Sequence, residues 1–524
     1  MLPTLTTAAW LAASLPAARA FRRALADPAR TQQAVLREIL TANAKSAFGR
    51  AHDFARLRSV DDFRAAVPLG DHETHAPWIE RVANGEPAVL TADTAVDRIT
   101  RFEPSSGSAA ARKLIPGNRR LRQQFQRGIA PWVVDLYRHH PRLMNGRAYW
   151  SISPALDTER TPGGLPVGFD EDSAYLGGLG QALVDRAMAV PGSVARLRDP
   201  RAWRYATLLH LLRARDLRLI SVWNPSFLTL LLDALPGWWD ALLSDVFAGT
   251  EGAPAMPRRA EDLAERGCDD LPRLWPGLGL ISCWTDAHAA SALPALRAAL
   301  PGVPLQPKGL LATEAIVTLP WGGAHPLALR SHFFEFEDDD GQLHLAHELA
   351  EGQVVKVVVT TGGGLYRYRL HDRVEVTGRC AATPSLRFLG KEDRVSDRRG
   401  EKLSEAFVAG VLAALGLTGG FAMLAPEESE PPRYVLYTDQ PTGPDLAARL
   451  EQRLRENPHY RWCAAVGQLA PAQVFGVRGD GFRAYMEACQ GRGQRIGDIK
   501  PCALSPQAGW SAALRGAMVT PEPG

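Results

Sequence analysis

The sequence predicts an α/β protein, a large domain of β-sheets flanked by helices followed by a small α+β domain. Three observations carry that expectation. Short apolar runs such as Leu278–Trp284 alternate with stretches of helical periodicity such as Leu293–Leu300, as expected when helices cover the faces of a sheet. The chain has 524 residues, more than one core usually holds, so two or more domains are expected. Near residue 390 the composition turns highly charged, with Gly390-Lys391-Glu392-Asp393-Arg394 and then Asp397-Arg398-Arg399-Gly400. The boundary is placed there: residues 1–390 form the large domain and 391–524 the small one, with a hinge near 390–400.

In chain order, residues 1 to about 90 read as mainly helical, with Val35, Ile39, Leu40, Phe48, Phe54 and Phe63 on apolar faces and a turn at Pro68, Gly70 and Asp71. The first 21 residues imitate a signal peptide but lack its positive start and long apolar centre, so they are read as a helix, with an export signal as the alternative. Asp97–Phe102 alternates like a strand, and Leu121, Phe125, Trp132, Val133 and Leu136 recur at helical spacing. Residues 160–168 form a loop rich in Gly and Pro. Trp203–Leu235 holds buried helices around a short strand, Arg218–Trp223. Strands follow at Ala315–Leu319, Phe333–Glu337, Val354–Thr360 and Leu365–Leu370, with a hairpin at Gly362-Gly363-Gly364. Beyond the boundary, helices are expected at Ser404–Leu415, Asp445–Glu456 and Phe482–Cys489, and strands at Arg433–Thr438 and Ala472–Val477.

Bulk properties narrow the function. A hydrophobic content of 46% and a charged content of 22% are ordinary for a soluble globular protein. A net charge of +3 gives no argument for nucleic acid or an anionic membrane, and no apolar run reaches the length of a membrane span. The six cysteines are scattered without a CxxC pair, which argues against a disulfide framework or zinc knuckle and for a reducing, cytoplasmic setting.

The stretch Arg101–Pro116, RFEPSSGSAAARKLIP, holds Ser105, Ser106, Gly107, Ser108, Arg112 and Lys113. Read as a turn between a strand and a helix, it aims N–H groups, hydroxyls and cations at one point, which suits a polyphosphate. A solvated loop has the same residues, and no Walker signature is present. Thr313-Glu314 enters a strand, where a carboxylate beside phosphates suits Mg²⁺ or is an exposed edge acid. Asp372 ends YRYRLHD, placed to accept ribose hydroxyls or to cap a turn. His344-Leu345-Ala346-His347-Glu348 is not HExxH, and on a strand the two imidazoles diverge, so no metal is assigned. Lys500 lies in a tight loop, Gly497-Asp498-Ile499-Lys500-Pro501. No G-x-S-x-G elbow supports a serine hydrolase.

In this order the segments resemble the GH3 family of adenylate-forming, acyl-activating enzymes, named for auxin-responsive plant proteins and also found in bacteria. SSGSAAARKLIP, LLATEAIVTLP, YRYRLHD preceded by FFEF, and LRFLGKEDRVSDRRGEKLSE resemble its motifs, as do DDFRAAVPLGDHE and WIERVANGEPAVLT upstream. The resemblance covers nearly the whole chain. It implies a large domain that binds ATP and the acyl substrate and a mobile C-terminal domain. It also implies that Ser105, Ser106, Gly107, Ser108 and Lys113 embrace the triphosphate, that Arg394 contacts the nucleotide, and that Thr313 contacts the α-phosphate. Glu314 would ligate Mg²⁺, Asp372 would hold the ribose, Asp397 or Arg398 would mark the hinge, and Lys500 would approach the reacting carboxylate. His371 stands where the family usually has Gly, and Leu-Leu-Ala precedes Thr313-Glu314 where plant members favour Tyr, closer to bacterial members. The implied reaction joins a carboxylic acid to an amine or amino acid through an acyl-adenylate, with pyrophosphate and AMP released. Trp132, Trp223, Asn224 and Phe227 are candidates for the acyl pocket, each also readable as core. An acyl-CoA ligase, or another adenylating enzyme with a thiol or hydroxyl acceptor, remains open. So does a nucleotide-binding protein without turnover.

Overall fold

The structure, a computed structural model, describes residues 2–105, 113–150, 159–168, 187–197, 199–391, 395–396, 398–399, 401–443, 445–465, 467–492, 494 and 499–519. The N-terminal block is helical, as the apolar periodicity requires: α1 (Leu2–Ala24), α2 (Pro28–Asn43), α3 (Ala47–Ala51), α4 (Val60–Ala66) and α5 (His72–Ala83). Asp27, Ser46, Ser59 and Asp71 cap the last four of these, each accepting a backbone N–H in the first turn. The cap at Asp71 sets His72 at the start of α5.

The hydroxyl-rich stretch differs from its expectation. The chain does not pass from a strand through a turn into a helix. It makes a β-hairpin: β1 (Arg101–Ser105) lies antiparallel to β2 (Lys113–Gly117), with Ser105 opposite Lys113. Strand β1 also begins later than Asp97, because the Asp97 carboxylate is drawn into a local turn by the Thr94 hydroxyl. Only then comes α6 (Arg119–His139), capped by Asn118. Helix α6 packs along α1 through Trp10, Val133 and Leu136 and through Phe21 and Phe125.

The next layer is a parallel sheet. Strand β3 (Arg147–Trp150) is followed by a small hairpin, β4 (Glu159–Arg160) and β5 (Pro166–Val167), the latter parallel to β1. After the helix Pro200–Arg213 comes β6 (Leu217–Ser221), then the helix Pro225–Leu232, β7 (Leu280–Cys283), the helix Leu293–Ala299 and β8 (Leu305–Pro307). The order is β3-β6-β7-β8, every neighbouring pair parallel. Such a sheet needs helical crossovers, which the alternating apolar runs supply.

An antiparallel sheet stands beside it: β9 (Phe333–Glu337), β10 (Leu343–Leu345), β11 (Val354–Thr360), β12 (Tyr368–Cys380) and β13 (Thr383–Lys391), in the order β10-β9-β11-β12-β13. The expected strand Ala315–Leu319 is absent as a strand. That stretch makes only isolated bridges, Leu311 with Ile316 and Thr318 with Leu327, because the chain doubles back on itself within a few residues. The expected strand at Leu365 starts at Tyr368 and runs to Cys380, so Asp372 lies inside it rather than at its end. Gly364 has φ +103°, and a Cβ on Gly362 would meet the Arg120 side chain at 2.6 Å, so the glycine hairpin can lie against α6 only without side chains.

Residues from 395 onward carry a short pair, β14 (Val395–Ser396) and β15 (Leu403–Ser404), then the helix Glu405–Ala414 and a four-stranded sheet. That sheet is β16 (Ala422–Glu427), β17 (Arg433–Thr438), β18 (Gln473–Val477) and β19 (Gly516–Met518). One face of it has its own core around Leu412, Leu436 and Leu450. The other face shares a core with the parallel-sheet layer, where Phe421, Tyr485 and Trp510 belong to the same cluster as Trp203, Phe227 and Leu228. Phe227 is therefore core. Among the described residues no helix is long and apolar enough to cross a membrane.

Candidate active site

The described segments converge on one open cleft, lined among others by Lys113, Asn224, Thr313, Glu314, Asp372 and Lys500. Lys113 arrives on the first residue of β2. Thr313 and Glu314 sit on the doubled-back turn, where the Ala312 N–H donates to the Ala315 carbonyl (2.9 Å). That turn is held from below by His332: the Ile316 N–H donates to its Nε2 (3.2 Å). Burial pushes this imidazole down to about 3, so it is neutral. With Nε2 accepting, Nδ1 carries the proton and donates to Gln124 Oε1 (3.1 Å), which also accepts the Gly362 N–H (2.8 Å). One buried network thus fixes α6, the Thr-Glu turn and the glycine hairpin together.

Asp372 is aimed by a bulge. Strand β12 slips register against β11 between the pairs Lys356–Arg373 and Val358–Arg369, and His371 adopts φ +60° within that slip. A bulge redirects the side chain beside it. The Asp372 carboxylate is 1% exposed, and neither oxygen accepts a hydrogen bond among the described residues. Lys391 Nζ stands 3.4 Å from one oxygen. Burial outweighs that cation and holds the carboxyl above the usual carboxylate range. A desolvated acceptor with open lone pairs suits a pair of hydroxyls.

Glu314, 7% exposed, supplies a hard oxygen donor to the cleft that Lys113 and Thr313 also line. One carboxylate plus substrate phosphates is a usual Mg²⁺ set, so the residues present fit that ion. Lys500 Nζ lies 5.0 Å from the centroid of the Trp284 ring, itself 5.2 Å from that of Phe388. The Lys500 loop is joined to the helix at Glu405, whose carboxylate accepts the Ala503 N–H (3.2 Å).

Other predicted residues fall elsewhere. Trp132 and Trp223 meet at Lys308 beside the cleft, and the Trp132 Nε1–H donates to Gln306 Oε1 (3.0 Å). Arg398 Nη2 lies 3.6 Å from Glu428 Oε1, while its backbone N–H donates to Glu401 (2.7 Å). Ser106, Gly107, Ser108, Arg394 and Asp397 lie outside the described residues, and Ser105 is described only in its backbone, opposite Lys113. His344 Nε2 pairs with Asp338 (2.7 Å), and no group of three or more possible metal ligands gathers among the described residues.

Sequence reasoning missed His72, Trp284, Asp286 and Lys391. His72 sits within LGDHE, and its lowered pKa comes from burial and then from Lys113, against the pull of Glu314. Lys391 was absorbed into the charged run. Trp284 and Asp286 follow the apolar run of β7, and the rule that ligands bind beyond the carboxyl ends of parallel strands would have flagged both. Asp286 lines the cleft with its carboxyl raised by burial.

Comparison with known proteins agrees with this architecture. The GH3 family N-terminal domain matches residues 17–305, its central domain 325–391 and its C-terminal domain 411–508. The indole-3-acetic acid-amido synthetase GH3.3 of Arabidopsis thaliana is 23% identical over 530 residues, covering 90% of this chain and 88% of its own length. GH3.2 of the same plant, also an indole-3-acetic acid-amido synthetase, is 25% identical over 429 residues, covering 72% and 77%. Among solved structures, the AtGH3.15 acyl acid amido synthetase in complex with 2,4-DB superposes with a TM-score of 0.81 at 20% identity, covering 97% of this chain and 98% of its own. The N-terminal match alone spans more than half of the sequence, so the chain belongs to the GH3 family.

Proposed function

We propose that this protein is an ATP-dependent acyl acid amido synthetase. It activates a carboxylic acid as an acyl-adenylate and passes the acyl group to an amine, an amino acid being the favoured acceptor. The observation that carries this reading is Asp372, a buried carboxylate that accepts no hydrogen bond among the described residues, facing one cleft with Thr313, Glu314, Lys113 and Lys500 in a GH3 chain.

In the first half-reaction a substrate carboxylate oxygen bonds to the α-phosphorus of ATP while the bond to the pyrophosphate oxygen breaks. Two anions must meet, so cations have to offset their repulsion. Lys500 and Lys113, both lining the cleft, supply that charge, Thr313 offers a hydroxyl to the α-phosphate, and Asp372 fixes the ribose. Glu314 holds Mg²⁺, which when bound neutralises phosphate charge. Alignment of the two reactants supplies much of the remaining acceleration. The segment 390–400 then acts as the hinge, and residues beyond it turn to admit the amine. The amine nitrogen bonds to the acyl carbon, the carbon–oxygen bond to AMP breaks, and the nitrogen loses its proton to solvent.

Pyrophosphate exchange into ATP across a panel of carboxylic acids tests the first half. AMP release driven by amino acids but not by coenzyme A separates amide synthesis from acyl-CoA formation. ATP binding without exchange for any acid would support a nucleotide-binding protein instead. Glu314→Ala is expected to lower exchange by about 100-fold or more, the usual scale for removing one electrostatic element from a polar active site. Its thermal unfolding should stay close to wild type; full activity would remove Glu314 from the site.

A further inference from the structure

The cleft holds a carboxylate that the adenylation step leaves without a role. Among the described residues Asp286, Glu314, Asp372 and Glu405 line it. In the reading above Glu314 takes Mg²⁺ and Asp372 the ribose, while Glu405 accepts the Ala503 N–H (3.2 Å). Asp286 remains. It stands at the N-cap of the short helix Ala287–Ala292, where an Asp ordinarily accepts an N–H of the first turn, yet its side chain makes no capping bond. The carboxylate turns aside instead, and Oδ2 accepts the Phe388 N–H at a long 3.4 Å. The charges that act on it are His325 and Arg387, both of which pull its carboxyl down, and burial outweighs them.

Two residues earlier, Trp284 offers a cation an aromatic face. Lys500 Nζ lies 5.0 Å from its ring centroid. Phe388, whose N–H reaches Asp286, packs against the same indole with centroids 5.2 Å apart. A face of this kind attracts an ammonium whichever molecule supplies it. Trp284 and Asp286 follow β7, ahead of the segment 390–400, and Lys500 lies beyond that segment. When the residues past the hinge turn, as the proposed reaction requires, Lys500 leaves while the indole and the Asp286 carboxylate stay. The cleft then also loses the Lys500 charge that acts on Asp372. The vacated place favours another cation.

The second half-reaction brings one. An amino acid carries its nitrogen as an ammonium at neutral pH, with no lone pair to attack. We propose that the acceptor enters as this ammonium, seats over Trp284 in the place Lys500 holds here, and gives a proton to the Asp286 carboxylate. The inference rests on the amide-forming reading above and adds the charge state of the acceptor and its base. One N–H bond breaks toward the Asp286 oxygen, which frees the lone pair. The nitrogen bonds to the acyl carbon, and the carbon–oxygen bond to AMP breaks with its electrons left on the phosphate oxygen. The nitrogen's next proton goes to solvent, and Asp286 releases its own there before the next turnover. Burial suits Asp286 to this work by raising its proton affinity. A thiol or alcohol brings no charge for the indole face to hold.

The test follows acyl transfer by the full chain, charged with ATP and whichever acid of the panel exchanges best. Two acceptors are compared: the amino acid that drives AMP release best, and hydroxylamine, which is largely neutral at neutral pH and needs no base to free its lone pair. In Asp286→Asn the ratio of amide to hydroxamate formed at neutral pH is expected to fall by about 100-fold, the usual scale for losing a general base. The deficit should shrink as pH rises and free amine accumulates, and Asp286→Glu should restore part of the rate. An unchanged ratio, or an equal deficit at every pH, would overturn the role of Asp286. On the wild-type protein, tetramethylammonium is expected to raise the apparent KM for the amino acid, and tert-butanol, of similar size without charge, to leave it unchanged. Equal effects of the two would overturn the cation seat, and this arm stands even where the variants do not fold. Exchange without amide formation from any amino acid overturns the amide-forming reading and this inference with it, whereas amide formation indifferent to residue 286 overturns this inference alone.

Discussion

Asp372 sets stability and binding against each other. A carboxylate held above its ordinary pKa by burial lets the folded chain bind a proton more readily than the unfolded chain does. Its cost to the fold is absent well below the ordinary carboxylate range and grows as pH climbs through the raised value. Asp372→Asn removes that cost along with the charged acceptor. The variant is expected to unfold at a temperature no lower than wild type above neutral pH, while its KM for ATP rises. Losing hydrogen bonds to a charged group costs about 1.5–3 kcal/mol, which corresponds to roughly 10- to 150-fold in KM. Calorimetric melting and ATP-dependent exchange kinetics read the two quantities separately. A lower melting temperature with an unchanged KM would make Asp372 a structural acid.

At the scale of elements, the site depends on how turns are held. The Thr313–Glu314 turn has little ladder of its own and hangs on the neutral His332 imidazole, which is fully buried. The folded pKa of about 3 lies below the ordinary 6.5, so the unfolded chain takes up the proton first. The stability contribution is complete above about 6.5 and is lost as pH falls toward 3, at about 1.4 kcal/mol per pH unit. His75 and His72, also lowered mainly by burial, act in the same direction. His332→Gln is expected to flatten the acid limb of the melting temperature between pH 6.5 and 4, and to lower exchange at neutral pH by loosening the turn. An acid limb as steep as wild type would remove His332 as its source. The same network shows what the sequence could disclose. The helices and most strands were legible because their apolar periods are set by burial on one face, and β9, β11 and β17 fall at the expected residues. The hairpin of β1 and β2 was not, since Lys113–Gly117 holds a Pro and a Gly and reads locally as turn. The motif YRYRLHD was legible as a unit but not in its division of labour. Its Tyr366 hydroxyl donates to the Leu90 carbonyl (2.6 Å), and the Arg367 Nε donates to buried Glu335 (3.0 Å). Of these groups only Asp372, turned by the bulge at His371, faces the cleft as an unsatisfied acceptor. A bulge depends on the partner strand, and no local pattern announces it.

Across the whole molecule, the C-terminal part of the chain brings Lys500, with Glu405, Ala409, Pro501 and Ala503, to a cleft otherwise lined by residues up to Lys391. The arrangement that places Lys500 beside Trp284 also closes a seam between the helices Pro225–Leu232 and Gly481–Gly491, where Phe227 and Leu231 face Met486. At its edge the Arg483 guanidinium lies 3.1 Å from Asp233. That exposed pair is worth little by itself, and the seam is held by apolar contact. If the residues beyond the hinge must turn before the amine enters, this seam has to open once in every turnover, while adenylation needs it shut. Replacing both Asp233 and Arg483 by Cys and bridging them with a disulfide-containing bismaleimide fixes the seam. Cys268 and Cys380, the half-buried thiols, are first changed to Ser. The bridged protein is expected to keep pyrophosphate exchange near the unbridged rate and to lose amide formation, with reduction of the linker restoring it. Amide formation at full rate in the bridged protein would show that both half-reactions run in the arrangement seen here, and that the charged segment near residue 390 does not work as a hinge.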